Sequence, residues 1–126
     1  MLFLLSLAVL SGFSQTYNVI IQYSFKHIEE GYDHPNKIIV YVYNVKAGES
    51  GSKKESETNA LRIPISAGMH TVKIENWAYY NDKWELHSKA NNYSFDLINS
   101  ERIDVHHHLN IKLIYDLDNG ALLTYK

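Results

Sequence analysis

The residues of this chain best suited to chemistry are aromatic rings clustered around one turn. Asn81-Asp82 is a turn dipeptide between two alternating segments. If it closes a two-residue hairpin, Tyr79 faces Trp84 and Trp77 faces Leu86. Alternation then places these four side chains on one face, where rings could stack on pyranose sugars or form a protein-interface hot spot. We therefore predict that Trp77, Tyr79 and Trp84 bind a ligand.

The alternation upstream of this hairpin leaves a second arrangement open. Lys73 and Glu75 share the parity of the tryptophans, while Val72 and Ile74 have the opposite parity, which is typical of a core. Taken literally, the rings point to solvent. A β-bulge near Asn76 would exchange the two faces and send both tryptophans inward.

A run of three histidines gives a second chemical hypothesis. If His106-His107-His108 lies on a strand, His106 and His108 project to the same face, within reach of one metal ion. Neutral imidazoles bind zinc, copper or nickel, and Asp104 could supply a third ligand. The alternative is a solvated polar face with His107 as a hydrogen-bonded interior residue.

The sequence offers little for catalysis, so we predict no enzymatic activity and no cofactor. It contains no cysteine, no Gly-x-Ser-x-Gly motif and no phosphate-binding glycine loop. Glu29-Glu30 and the pair Glu55 and Glu57 fall in polar segments, where solvated charge is expected. The segment 116–120 lacks the later ligands of a calcium loop, and Asn119-Gly120 instead predicts a hairpin turn.

Period-two alternation dominates the elements that would position these residues. Tyr17, Val19, Ile21, Tyr23 and Phe25 fall on one face of a first strand. Residues 38–43 are apolar on both faces, which predicts a central strand covered on both sides. Residues 46–60 are polar and predict a mobile or recognition loop.

The second half of the chain continues the pattern. Pro64 cannot donate to a ladder, so the strand from Leu61 to Ile65 is predicted to lie at an edge or to contain a bulge. Tyr93, Phe95 and Leu97 predict a short strand, and residues 103–117 form the longest alternating stretch. These short strands predict an all-β fold, an antiparallel β-sandwich of about seven to nine strands, with an Ig-like arrangement as one possibility.

The amino terminus predicts export. The first 25 residues carry no charged side chain, and residues 1–10 have the length of a signal-peptide apolar region. The alternative is that residues 2–10 form a buried first strand. Small residues at Gly12 and Ser14 suit cleavage after Ser14, leaving a single domain over 15–126. Without cysteine there is no lipid-modified terminus, so we expect no membrane anchor after processing. The protein would then be secreted or periplasmic, which suits a bacterial envelope.

Charge excludes one class of partner. The chain has 12 basic and 14 acidic residues, a formal net charge of −2, and no basic stripe. We therefore expect no nucleic-acid partner.

The segment from Leu61 to Ile74, LRIPISAGMHTVKI, resembles a part of small extracellular sandwich modules. Those are the transthyretin-like, carboxypeptidase-regulatory-like and PEGA-type domains, in which a proline-containing turn and Gly lead into an alternating strand. The resemblance implies a non-enzymatic accessory or interaction module. A hydrolase branch of the transthyretin group ends in Tyr-Arg-Gly-Ser, whereas this chain ends Leu123-Thr124-Tyr125-Lys126, so that activity is not implied.

Three functions remain open on the sequence. The first is an exported binding module that recognises a glycan or a surface protein through the aromatic cluster. The second is a structural module that pairs through edge strands, for which Leu61–Ile65 and the last strand are the candidates. The third is a metal-handling protein that uses His106 and His108.

Overall fold

The computed structural model describes residues 15–126, which form two packed β-sheets. The predicted all-β sandwich is confirmed. The predicted signal peptide, residues 1–14, lies outside the described residues. In that described part there are ten strands and one 3-10 turn. The strands are β1 (Thr16–Lys26), β2 (Pro35–Val42), β3 (Val45–Glu49), β4 (Lys53–Lys54), β5 (Asn59–Ser66), β6 (Gly68–Tyr80), β7 (Lys83–Leu86), β8 (Ile98–Val105), β9 (Leu109–Asp116) and β10 (Gly120–Tyr125).

The first sheet, sheet A, has the order β10-β9-β1-β5. The sequence predicted an antiparallel sandwich. Strand β1 pairs antiparallel with β5 but parallel with β9, so the sandwich is not purely antiparallel. Strand β5 is an edge, which is one of the two arrangements predicted from Pro64, and the last strand β10 is the other edge. Pairing of either edge with another chain stays a prediction.

The second sheet, sheet B, is built around the long strand β6. On one side β6 pairs with β2, and β2 pairs in turn with β3 and β4. On the other side β6 pairs first with β8 and then with β7. The exchange occurs at Asn76, whose amide donates to the Leu97 carbonyl (3.0 Å) and whose carbonyl accepts from the His87 amide (2.9 Å).

The core lies between the sheets and consists of the side chains that the alternation predicted. From β1, Val19, Ile21 and Tyr23 are at most 1% exposed. Each fully buried aliphatic or aromatic side chain of this kind contributes about 1.5–3 kcal/mol by leaving water. Towards one end of the sandwich the inner face of sheet B becomes polar, where buried Asn76 donates to Asn36 over 3.1 Å. The apolar core therefore stops short of that end.

The polar segment 46–60 is more regular than predicted. It contains most of β3, all of β4 and the start of β5, which raises the strand count above the predicted seven to nine. A two-residue turn at Tyr43-Asn44, with φ of 50° and 64°, folds β3 back along β2. Strand β2 is covered by sheet A on one face only, because its other face carries half-buried Lys37, Ile39 and Tyr41.

The final third of the chain also departs from its predicted elements. The alternating stretch breaks into β8 and β9 at residues 106–108. Tyr93 and Phe95 follow the 3-10 turn Lys89–Asn91 without forming a strand. The hairpin at Asn119-Gly120 is present, but Asn119 donates to Asp116 and Gly120 alone has positive φ, 101°. This is a type I turn with a glycine bulge. The structure contains no helix over residues 15–126 that could cross a membrane.

Candidate functional site

The hairpin formed by β6 and β7 carries the aromatic residues that the sequence singled out. Asn81 and Asp82 close it with φ of 53° and 62°, as a type I′ turn requires. The predicted pairing of Tyr79 with Trp84 and of Trp77 with Leu86 is confirmed. No change of face occurs at Asn76: it is buried at 0% exposure, and the pattern alternates through it. The alternative with both tryptophans in the core is therefore wrong.

The side of sheet B that points away from sheet A is called the aromatic face below. Its centre is formed by Trp77, Tyr79 and Trp84, of which Tyr79 is 37% exposed and the tryptophans are half-buried. Aliphatic and aromatic side chains from neighbouring strands share this side and are half-buried or exposed: Ile39, Tyr41, Leu86 and Ile98.

Polar neighbours hold the rings of the aromatic face in place. The Trp77 indole nitrogen donates to Glu75 over 3.1 Å. The Lys37 ammonium lies 4.4 Å from the Trp84 ring centroid and donates to Glu49 over 2.8 Å. Hydrogen bonds from lysine ammonium groups lower the pKa of the Glu49 carboxyl to about 2. The charged groups beside the rings are therefore already paired.

The geometry of the rings limits what the aromatic face can bind. The Tyr79 and Trp84 rings lie 5.3 Å apart with an interplanar angle of 63°. Rings at this angle do not form a flat platform for a crystalline surface. They offer two differently oriented apolar surfaces.

The histidine run lies at the break between β8 and β9, so the predicted strand geometry is wrong. His106 Nδ1 lies 3.5 Å from an Asp104 carboxylate oxygen. His108 instead contacts β1: its Nδ1 accepts from the Asn18 amide over 2.9 Å, and its ring packs edge-on against Tyr17. The structure does not bring His106 and His108 to one metal-binding position, and a metal role for them stays a prediction.

A cleft of about 730 Å³ opens at one end of the sandwich, and we call it the end cleft. It is bounded by the connections β1–β2, β4–β5 and β7–β8 and by the hairpins β6–β7 and β9–β10. The sequence did not predict it, because its walls come from five separate connections. Its chemically active side chains include His34, Glu55, Tyr80, Glu85, His87 and Tyr93.

Two ionisable side chains in the end cleft are strongly buried. Glu55, predicted to be a solvated charge, is only 3% exposed, so that expectation is wrong. Burial, with a smaller repulsion from Asp33, raises the pKa of Glu55 to about 8. His87 is 4% exposed, and burial lowers its pKa to about 4. The one sequence signal for either residue was that His87 has the inward parity of β7.

Tyr93 contacts both His87 and Glu85 in the end cleft. Its ring stacks on His87 with centroids 4.1 Å apart, and its hydroxyl donates to Glu85 over 2.8 Å. Burial, the hydrogen bond to Glu85 and nearby carboxylates raise the pKa of Tyr93, so it stays a donor at neutral pH. The cleft therefore presents carboxylates beside aromatic rings.

One set of three possible metal ligands converges among residues 15–126. Donor atoms of His27, Asp116 and Asp118 lie within 4.8 Å of one another. His27 Nδ1 is 2.7 Å from Asp116, which also accepts from the Asp118 amide and the Asn119 side chain. These bonds lower the pKa of Asp116 and close the β9–β10 turn. Turn stabilisation accounts for this exposed cluster.

Comparison with known proteins adds a likeness in structure. No family model and no curated protein matches the chain. A provisionally assigned cell adhesion protein from Bacteroides ovatus is similar to it with a TM-score of 0.44 and 8% sequence identity. That match covers 89% of this chain and 44% of the other, so this chain spans less than half the length of that protein.

Proposed function

We propose that this protein is an exported, non-enzymatic recognition module that binds a glycan at or outside the cell surface through its aromatic face. The observation that carries the proposal is the placement of Trp77, Tyr79 and Trp84 together on the solvent side of sheet B. No further layer of residues 15–126 covers them, since the two sheets pack through their opposite faces.

The chemistry of the face suits a neutral, hydroxyl-rich ligand. The C–H groups of a pyranose ring pack against the electron-rich face of an aromatic ring. The carboxylates of Glu75 and Glu49 lie beside the rings, and each is fixed by a bond to a neighbour. Such carboxylates have further lone pairs for sugar hydroxyl groups. Because the charges are paired, a neutral ligand need not supply a counter-charge.

The test compares binding to a glycan array by the wild type, Trp84→Ala and Tyr125→Ala. Tyr125 is a matched control, because it is an aromatic residue 46% exposed on the edge strand β10 of the other sheet. Loss of a hot-spot ring costs about 2 kcal/mol or more, so Trp84→Ala should lower the affinity by a factor of about 30. Tyr125→Ala should leave it unchanged.

Tryptophan fluorescence gives a second readout, because Trp77 and Trp84 are the only tryptophans of the chain and both lie on the aromatic face. A glycan that covers them should shift their emission to shorter wavelength and protect them from acrylamide. The proposal fails if the array shows no glycan binding, or if the binding survives Trp84→Ala in a folded protein.

A protein partner is a second candidate for the same face. The specific observation is that aliphatic side chains of Ile39, Leu86 and Ile98 join the rings, with Ile98 37% exposed. Aliphatic groups add area to a protein interface but make no stacking contact with a sugar. Ile98→Asn separates the two candidates: it should weaken a protein partner strongly and leave glycan stacking on Trp84 unchanged.

A further inference from the structure

The end cleft contains a buried carboxylate whose position is fixed by its surroundings. The Glu55 amide donates to the His34 carbonyl over 3.0 Å. Next to it, the Asp33 carboxylate accepts from the Ser56 amide (2.9 Å) and the Ser56 hydroxyl (2.6 Å). These bonds tie the β4–β5 connection to the β1–β2 connection on both sides of Glu55. The backbone at Glu55 is therefore fixed beside the cleft, and its side chain is only 3% exposed.

Glu55 has no counter-charge in the part of the chain that the structure describes. The ion pairs found over residues 15–126 involve other carboxylates, and no cation contributes to its environment. An unpaired buried charge is costly, so the carboxyl is driven to hold its proton while the cleft is empty. A cationic group at this position would relieve that cost.

The remaining charges of the cleft also favour a cation. The carboxylates of Glu29, Glu85 and Asp118 line it together with Glu55, against the single lysine Lys83. His27 also lines the cleft, where its Nδ1 lies 2.7 Å from Asp116 and 3.5 Å from Asp118. His87 faces the cleft as a neutral ring, because burial lowers its pKa to about 4. Anionic ligands are therefore disfavoured.

Aromatic rings supply the second half of the site. Tyr93 stacks on His87, and Tyr80 packs edge-on against His34 with centroids 4.9 Å apart. Tyrosine faces attract cations within about 6 Å of the ring centroid and pack against carbon chains. This combination of a buried carboxylate and rings is not found on the aromatic face, where each lysine ammonium near a ring already has a carboxylate partner.

The donors of this part of the cleft do not form a ready-made three-ligand metal site. Glu55, Glu85, His34 and His87 do not belong to the one convergent set of three donors found within residues 15–126. An organic cation needs no such convergence, because it can bind one carboxylate and pack its carbon chain against the rings.

We propose that the end cleft binds a protonated alkyl amine, with the ammonium group at Glu55 and the carbon chain against Tyr80 and Tyr93. The ammonium has three N–H donors for the Glu55 carboxylate and other acceptors of the cleft, which Glu85 also lines. Such a group occurs at the end of a lysine side chain and in free diamines, and the test separates these two sources. The site is independent of the aromatic face and of its glycan.

The experiment is a titration of the full protein followed by amide chemical shifts in NMR. The probes are Nα-acetyl-lysine methylamide, its Nε-acetylated counterpart and cadaverine. The amine-bearing probes should shift the amides of the end cleft, and the Nε-acetylated probe should not, because it has lost its charge. Binding of the lysine derivative identifies a lysine side chain as the source, and binding of cadaverine alone identifies a free diamine.

Glu55→Gln tests the residue that carries the proposal. It keeps the shape of the side chain and removes the charge, and should weaken binding at least tenfold, which corresponds to about 1.4 kcal/mol. Glu30→Gln is the matched control: it makes the same change at an exposed position next to the cleft and should have no effect. Should Glu55→Gln fail to fold, Glu85→Gln should still weaken binding several-fold.

Three results overturn the proposal. The first is that neither amine probe binds, and the second is that the Nε-acetylated probe binds equally well. The third is that affinity is unchanged in a folded Glu55→Gln variant. Trp84→Ala should leave amine binding intact, so failure of this proposal and failure of glycan recognition are separate outcomes.

Discussion

The two sides of the β6–β7 hairpin surround aromatic rings with polar groups in opposite ways. On the aromatic face the Trp77 indole is bonded to Glu75, and the Lys37 ammonium is bonded to Glu49. In the end cleft, which the same hairpin lines with Tyr80, Lys83 and Glu85, the buried Glu55 has no cationic partner among residues 15–126.

This difference indicates which ligand each side can accept. A ligand on the aromatic face gains free energy chiefly by covering apolar ring surface, because the charges there need no partner. A ligand in the end cleft gains it by supplying a charge to a carboxylate that is costly to ionise alone. One hairpin can therefore hold a neutral ligand on one side and a cationic ligand on the other.

The largest predicted effect comes from a substitution in the connection that forms the wall of the end cleft. Leu97 is 0% exposed and anchors the β7–β8 connection, since its amide donates to His87 and its carbonyl accepts from Asn76. Leu97→Ala should lower the free energy of unfolding by about 2–5 kcal/mol, because it leaves a cavity in the core. Leu97→Ala should also weaken amine binding more than glycan binding, because the wall of the end cleft depends on Leu97.

Urea unfolding measures the loss of stability in Leu97→Ala, amide hydrogen exchange measures the local opening of the cleft wall, and titration with each ligand measures binding. The matched control is Leu122→Ala, since Leu122 is 60% exposed on β10 and should change stability by no more than about 0.5 kcal/mol. Faster exchange spread evenly over both sheets, with no preference for residues 87–97, would contradict the assignment of Leu97 as a local anchor.

The second prediction is that the pH dependence of stability arises in the end cleft and not on the aromatic face. The folded protein keeps the Glu55 proton up to a pKa of about 8, whereas the unfolded chain loses it near 4.5. Stability should therefore fall as pH rises between these values, by up to about 1.4 kcal/mol for each pKa unit of difference. His87 has the opposite sign: stability should fall as pH drops from 6.5 towards its folded pKa of about 4.

Glu55→Gln identifies the origin of the alkaline loss. In urea unfolding between about pH 4 and 9 it should abolish that loss and keep the acid loss. The charged and titratable groups facing these two residues, Asp33, His34, Glu85 and Tyr93, are unchanged in the variant. An alkaline loss that persists in the variant would show that Glu55 is not its source. Trp84→Ala should leave both losses as they are.

The same contrast explains how much of the molecule the sequence could predict. The aromatic face follows from two local rules, strict alternation in β6 and β7 and a turn at Asn81-Asp82 that fixes their register. Both rules act within a stretch of a dozen residues. The edge position of β5 likewise follows from one residue, Pro64.

The end cleft could not be predicted, because it is a product of tertiary structure. Glu55 and His34 are brought together only when the β4–β5 connection packs on the β1–β2 connection. The parallel pairing of β1 with β9 joins residues about ninety positions apart, and no alternation pattern encodes a partner at that distance. The prediction that the three histidines lie on a strand was wrong, because the alternation of apolar residues in the sequence continues through the bend that separates β8 from β9.

The smallest predicted effect concerns the tip of the β6–β7 hairpin, which lies between the aromatic face and the end cleft. Asp82 has φ of 62°, and in a type I′ turn glycine is the preferred residue at this second position. Asp82→Gly should stabilise the protein by about 0.5 kcal/mol, because relief of the left-handed conformation outweighs the greater freedom of glycine in the unfolded chain. Asn44→Gly makes the same change in the β2–β3 hairpin, where φ is 64°, and should stabilise similarly. Asp82 does not line the end cleft, so both ligands should bind Asp82→Gly as they bind the wild type. A selective loss of amine binding would mean that the Asp82 carboxylate attracts the cation and that the cleft extends to the hairpin tip.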